Sequence, residues 1–437
     1  MTTIRFTAAL LLACTLFAGD DDWPRWRGPN FDGMARGDAP IEWNDTKNIA
    51  WRVPIAGRGF SSPVIWGDKV FLTTAVPTEA AAEPAAEGQR PARGTGGGVG
   101  VGREHKFVVL CLNRITGKTI WERVAKVATP HEGYHQRYGS FASNTPVTDG
   151  KHLYAFFGSR GLYCYDLTGK LVWEKQFPPM RMRLQFGEGV APVVDGDTLY
   201  MKFDQEEGSY MLALDKRTGK ELWRVTREEV SSWSEPLVVT HNGRKQVVVS
   251  ATTKVRSYDA ATGKLIWECS GLGTNVIPAP VIAGGVVYVM SGHRDPNMLA
   301  IRLGREGDLT GTDAIAWTNN RGNSYTAAPV LHDNKLYMVS DNGMLTSLNA
   351  STGEAYYRQQ RLPKAYNFKA SPVGANGKLY LATEDGDVVV VKMGEKYEVL
   401  ATNTLTDQSF IATPAIFDGS LYLRGQQTLY CIRQENR

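Results

Sequence analysis

The densest set of potential ligands in the chain is Pro130-His131-Glu132-Gly133-Tyr134-His135-Gln136-Arg137-Tyr138. His131-Glu132-x-x-His135 has the spacing of a zinc-protease motif, which needs a helix to bring both imidazoles to one face. Pro130 and Gly133 argue for a loop, and no third ligand is identifiable, so His131 and His135 read as hydrogen-bonding loop residues. Other reactions find no support. There is no Cys-x-x-Cys-His for covalent haem, no adjacent cysteine pair, and no Ser/His/Asp set recognisable by spacing. Asp195-Gly196-Asp197 is too short for a calcium loop and reads as a turn. No metal and no resident cofactor are therefore expected from the residues alone.

The elements that must carry these residues repeat. Thr116-Gly117-Lys118…Trp121 recurs at Thr168…Trp173, Thr218…Trp223 and Thr262…Trp267, with a degenerate copy at Thr312…Trp317 and Tyr in place of Trp at Thr352…Tyr357. An early copy, Thr46…Trp51, precedes them all. The aromatic always follows the Thr by five residues, as in a strand, a polar turn and a second strand. A second signature, a small or polar residue followed by Pro and an apolar residue, occurs at Pro63, Pro146, Pro192, Pro236, Pro280, Pro329, Pro372 and Pro414. Successive spacings are 83, 46, 44, 44, 49, 43 and 42 residues. Each unit holds four short strands, in the third unit about 192–194, 198–202, 211–214 and 221–225. Repeats of this length with four strands and a Trp signature predict β-propeller blades.

Counting also predicts closure. The last unit has three strands, near 414–417, 421–424 and 429–433, and lacks a Trp strand. The early Trp strand, 48–53, has no three strands before it. Joining the two gives an all-β, eight-bladed ring closed by its N-terminal strand, with no open sheet edge between the chain's two ends. Residues 19–437 then form one domain. Antiparallel parity places the first-to-second and third-to-fourth turns on one face. The longer loops share the other, where sites held by a rigid scaffold belong. Arg58, Phe60, Ser61, Arg160, Glu188, Trp233, Glu235, Asn275, His293, Asn323, Tyr325 and Lys369 fall on that long-loop face and, with His131 and His135, are the candidate binding residues. They could line a polar, aromatic mouth, or satisfy backbone groups where blades converge. Asp22-Trp23-Pro24-Arg25-Trp26-Arg27-Gly28-Pro29-Asn30 could stack a ligand between Arg and Trp. The plainer reading is a strap on the outer blades, its Trp packed and its Arg on carbonyls.

Composition sets the context. The 437 residues carry 49 basic and 45 acidic side chains, too balanced to imply nucleic-acid binding. Residues 1–18 show one Arg and then an apolar run, a secretory leader too short to span a bilayer. Leu11-Leu12-Ala13-Cys14 also matches a lipoprotein cleavage box that would lipidate Cys14, although the apolar run continues past it. No other long apolar stretch occurs, so an exported, periplasmic, monomeric protein without a transmembrane segment is expected. The Gly/Ala/Pro-rich insertion 76–105 in the first blade is expected to be a flexible surface loop. Cys111, Cys164 and Cys431 share one repeat position and read as small buried strand residues; Cys269 has no evident partner.

The segments Leu212-Ala-Leu-Asp…Thr-Gly-Lys-Glu-Leu-Trp223 and Ser257-Tyr-Asp-Ala-Ala-Thr-Gly-Lys-Leu-Ile-Trp267 resemble pyrroloquinoline-quinone-type propeller repeats. Trp23-Pro-Arg-Trp-Arg-Gly-Pro-Asn30 resembles a group of exported bacterial quinone-binding-like propellers. The resemblance implies the fold, and two different tasks. One branch, the quinoprotein alcohol and sugar dehydrogenases, holds quinone and calcium in the channel and often an adjacent-cysteine disulfide, which this chain lacks. The other resembles the propeller lipoprotein of the outer-membrane β-barrel assembly machinery, a non-enzymatic scaffold. The expectation is a non-catalytic envelope propeller binding a protein, or a glycan, through its long-loop face. A quinone-dependent oxidoreductase is the alternative.

Overall fold

Runs such as Tyr210-Met-Leu-Ala-Leu-Asp215 bury both faces of a strand, whereas Glu221-Leu-Trp-Arg-Val-Thr226 alternates half-buried and exposed residues. That contrast is the signature of a radial blade: inner strands are sandwiched between neighbours and outer strands reach the rim. The computed structural model describes residues 22–78 and 99–435. The predicted leader, Cys14 and residues 79–98 of the insertion lie outside the described residues. Among the described residues no helix is long and apolar enough to cross a membrane.

Eight sheets with a four-stranded antiparallel core follow one another along the chain. The third comprises Val193–Asp195, Thr198–Phe203, Tyr210–Asp215 and Glu221–Thr226, within about a residue or two of the sequence-derived bounds. Closure is as expected. Ile49–Pro54 pairs antiparallel with Thr428–Arg433, completing the sheet begun by Ala415–Phe417 and Ser420–Arg424. Apolar cores lie between blades: Tyr200, Met211 and Ala213 of the third pack on Val247, Val249 and Tyr258 of the fourth. Parity also holds. Backbone bonds such as Lys216 N to Asp197 O and Ala350 N to Asn334 O tie the third-to-fourth turn to the first-to-second turn of the same blade in six of the blades.

Five outer-strand Trp residues dock on the next blade's turn. Trp51, Trp121, Trp173, Trp223 and Trp317 donate Nε1–H to the carbonyls of Arg114, Leu167, Lys216, Ala260 and Ala350 at 2.9–3.1 Å. The turn glycine lies flat on the indole. A Cβ at Gly263 would stand 2.7 Å from Trp223, and φ is +74° there, so only Gly fits. Trp267 differs. The fifth blade's turn is enlarged, and its Gly307–Asp308 pairs in parallel with Trp267 and Glu268. This extra strand buries Trp267, whose Nε1–H goes to Gln246 instead.

The strap corrects one expectation. It does not lie on the outer blades; it crosses the innermost strands. Trp23 exchanges backbone bonds with Ile65, Thr148 N donates to Pro24 O, and Met34–Ala35 pairs in parallel with Gly374 and Ala375. Phe31 enters the core beneath Leu237 and Val239. The physical reason is burial: Trp23 and Arg27 are wholly excluded from solvent, which the outer rim cannot provide. The Arg-on-carbonyl expectation does hold, since Arg27 donates to the carbonyls of Phe31, Asp32, Ala328 and Pro329. Burial draws its guanidinium down to about 10, against the upward pull of Asp32 and Glu235. The strap thereby stoppers the ring's axis.

Candidate functional site

The residue before each first-strand Pro faces its neighbour around the axis and builds a belt. Ala328 N donates to Ser371 Oγ, Ser371 N to Thr413 Oγ1, Thr413 N to Ser62 Oγ, and Ser62 N to Thr145 Oγ1, at 2.9–3.1 Å. A short hydroxyl at this position satisfies an amide that converging blades would otherwise orphan. In the fourth blade the position holds Glu235, whose carboxyl takes the Ala191 amide. Burial raises this carboxyl to about 8, against the opposing pull of Arg25. The belt therefore has one acidic member, and burial favours its protonated form.

Above the belt lies a cavity of about 600 Å³, lined largely by apolar and aromatic surface. Trp26 of the strap lines it from below, its Nε1–H bonded to Thr413 Oγ1 at 2.8 Å. Long loops supply Phe60, Tyr138, Phe186, Trp233 and Tyr325 as walls. The rings are fixed by contacts behind them. Trp233 donates Nε1–H to Gly187 O at 2.8 Å, and His293 stacks on Tyr325 with centroids 4.9 Å apart. His135 stacks on Tyr138 at 4.6 Å, and burial followed by nearby Lys369 holds its imidazole below the usual range. Glu188 is held by Ser159 and by Arg160 at 2.8 Å. Asp341 accepts from Thr326 and from Lys369, 2.6 Å away.

Of the candidate binding residues, His135, Glu188, Trp233, Glu235, Asn275, Tyr325 and Lys369 line this cavity, together with Phe60 and His293. Arg58, Ser61, His131 and Arg160 stand behind the wall. Arg58 donates to the carbonyls of Gly139, Gln136 and Arg137. Ser61 receives the fully buried Arg424 at the ring closure. His131 Nε2 bonds to Met180 O at 2.7 Å and has Glu188 at 3.8 Å, while His135 Nδ1 accepts from the Arg137 and Tyr138 amides at 3.3 Å. The two imidazoles are thus committed to different partners. Asn323 bonds to Asn319 within its own loop.

Trp26, Tyr138, Phe186, Arg183, Asp341 and Arg294 also line the cavity and were not among the candidates. The Trp/Arg-dense strap was a signal for Trp26. For Arg183 and Arg294 the only signal was loop membership.

A family model described as "Outer membrane protein assembly factor BamB" matches residues 105–211, 208–306 and 305–402, most of the ring. The chain belongs to this family of PQQ-like repeat propellers. The outer membrane protein assembly factor BamB of Yersinia pestis is 23% identical over 342 residues, covering 75% of this chain and 80% of that one. BamB of Moranella endobia is 26% identical over 206 residues, 41% of this chain and 49% of the relative, so that match spans about half the relative's length. The quinohemoprotein alcohol dehydrogenase of Comamonas testosteroni superposes with a TM-score of 0.61 at 12% identity, over 95% of this chain and 81% of that one; the likeness is one of fold.

Proposed function

We propose that this protein is an exported, non-catalytic propeller that docks an envelope protein on its long-loop face, a BamB-like scaffold. The observation that carries the reading is the ring-walled mouth: a preformed concave surface assembled from the loops of many blades, with Glu188 and Asp341 committed to Arg160 and Lys369. Aromatic walls fixed from behind suit a hot-spot pocket for a partner's side chains. Family membership and the BamB relatives support a role in outer-membrane protein assembly, and the leader pattern supports a periplasmic location.

The donors present do not fit quinone with calcium. A calcium ion needs six or more oxygens, several of them carboxylate. Glu188 and Asp341 are neutralised by Arg160 and Lys369, and Glu235 is occupied by the Ala191 amide. The test is capture from cross-linked envelopes. Wild-type protein should retain an envelope complex, and a variant changed at Trp233 and Tyr325, with the Glu188–Arg160 and Asp341–Lys369 pairs left in place, should lose it while still unfolding cooperatively by calorimetry. Stoichiometric quinone-plus-calcium binding with dye-linked alcohol oxidation would overturn the reading.

A further inference from the structure

The outer edges of the blades are not alike. Thr119–Ala128 of the first blade is ten residues long, whereas the other outer strands have five to seven. It stands last in its sheet, and among the described residues no strand pairs with its outer side. Ile120, Val124 and Val127 on it are 45%, 48% and 47% exposed. Cross-strand register sets Val127, Val124 and Glu122 beside Lys106, Val108 and Leu110, on the face turned to the closing blade. There the two blades part in a groove of about 360 Å³, lined by Val53, Ile55, Val76, Val108, Leu110 and Leu112. Arg123 and Lys126, beside Val109 and Phe107, stand on the strand's opposite face. Charge is one-sided. From His105 to Ala128 the sole acid is Glu122. Arg114 pairs with Asp418, but Lys106, Lys118, Arg123 and Lys126 have no carboxylate partner among the described residues. The fourth blade shows what such an edge accepts. Gly307–Asp308 adds in parallel to Trp267 and Glu268, and the Asp308 carboxylate lies 3.6 Å from Lys254 Nζ.

We propose that the outer edge of the first blade binds an extended acidic segment of a partner protein as a fifth strand. An open strand edge offers a row of amides and carbonyls for backbone pairing. Side chains of an added strand alternate between its two faces. Those on one face fall over the groove, whose Val and Leu walls take apolar groups. Those on the other meet Arg123 and Lys126, which take carboxylates. The segment that fits therefore alternates apolar and acidic residues. The same cations repel the basic edge of a second copy, so they select the partner as well as attract it. The groove shares no lining residue with the mouth cavity, and the inference does not rest on docking there.

The experiment titrates purified protein against a fluorescein-labelled peptide, about nine residues long, in which Val and Glu alternate. Fluorescence anisotropy at low ionic strength reports binding. One control peptide carries Lys in place of Glu, and another has the same Val and Glu residues in two blocks. Saturable binding of the alternating peptide, about tenfold or more tighter than either control, is expected, with slowed hydrogen exchange of the Thr119–Ala128 amides. Lys106→Glu/Lys126→Glu should weaken it by about tenfold at unchanged melting temperature. The mouth variant changed at Trp233 and Tyr325 should bind the peptide as wild type does, so strand addition and envelope capture fail separately. Equal binding of the block peptide, protection elsewhere with none on Thr119–Ala128, no saturable signal, or an unaffected double variant overturns the proposal. A dimer that buries this edge overturns it too, by giving the edge to a second copy.

Discussion

Replacing Gly263 by Ala isolates what one blade-to-blade joint contributes. The backbone there has φ +74°, and holding an L-residue in that region costs about 1–2 kcal/mol. The new methyl also meets the Trp223 ring, 2.7 Å from Cε3 and 2.9 Å from Cδ2, so the indole must shift. Shifting it weakens the Nε1–H bond to Ala260 O, about 1 kcal/mol, along with part of the seam's packing. The total is about 3 kcal/mol. Gly243 is the matched control: it lies in the same blade at φ +77° with open space around its Cβ position, so Gly243→Ala carries only the backbone cost. For a ring of this size, unfolding entropy converts each kcal/mol into roughly 1 °C of melting temperature. Calorimetry should therefore show a loss of about 3 °C for Gly263→Ala and about 1–2 °C for Gly243→Ala. In a Trp223→Ala background the two substitutions should become equal, because the clash is gone. Equal losses in the wild-type background would refute the docking argument.

Three further outcomes follow from buried charge and thiol chemistry. Glu235 binds its proton more tightly folded than unfolded, so its contribution is greatest at acid pH. Stability should fall as pH rises from the ordinary glutamate range, about 4.5, through about 8, and Glu235→Gln should flatten that slope in melting curves between those limits. Asp204, fully buried, pairs with Arg227 at 2.8 Å and Lys202 at 3.3 Å, so Asp204→Asn should cost about 3–5 kcal/mol by chemical denaturation, having stranded two buried cations. Cys111, Cys164, Cys269 and Cys431 are buried free thiols, the first two pushed up to about 12 by burial, so dithiothreitol should leave the melting temperature unchanged.

Much of the ring was legible because its signals are local. The Thr-Gly-Lys turn and the aromatic five residues after its Thr sit within one hairpin, and the eight first-strand prolines, counted with them, give eight blades and the closing strand. The pre-proline residues were equally visible as a pattern, yet their purpose was not, since each hydroxyl serves an amide about 40 or more residues away. The strap misled for the same reason. Its partners Ile65, Thr148, Ala328, Gly374 and Thr413 belong to five blades, and nothing within residues 22–35 announces them. At the mouth, loop parity selected the right face and several of its lining residues. It could not separate Trp233, which lines the cavity, from Arg160, which braces Glu188 behind it. That distinction depends on which way a side chain points from an irregular loop.

The joining of Ile49–Pro54 to Thr428–Arg433 also sets a timetable. A chain emerging N-terminus first presents an early strand whose partner is made some 370 residues later. Until then that strand has an open edge, and the strap has no ring to stopper. Individual blades can form as they appear, from neighbouring hairpins, but the circle is a single late event with a large loop-closure entropy. Exposed edges invite pairing with the wrong chain during that interval. The protein's vulnerable period is thus the end of its own synthesis, and truncations that remove only the last strand should be more damaging than their length suggests.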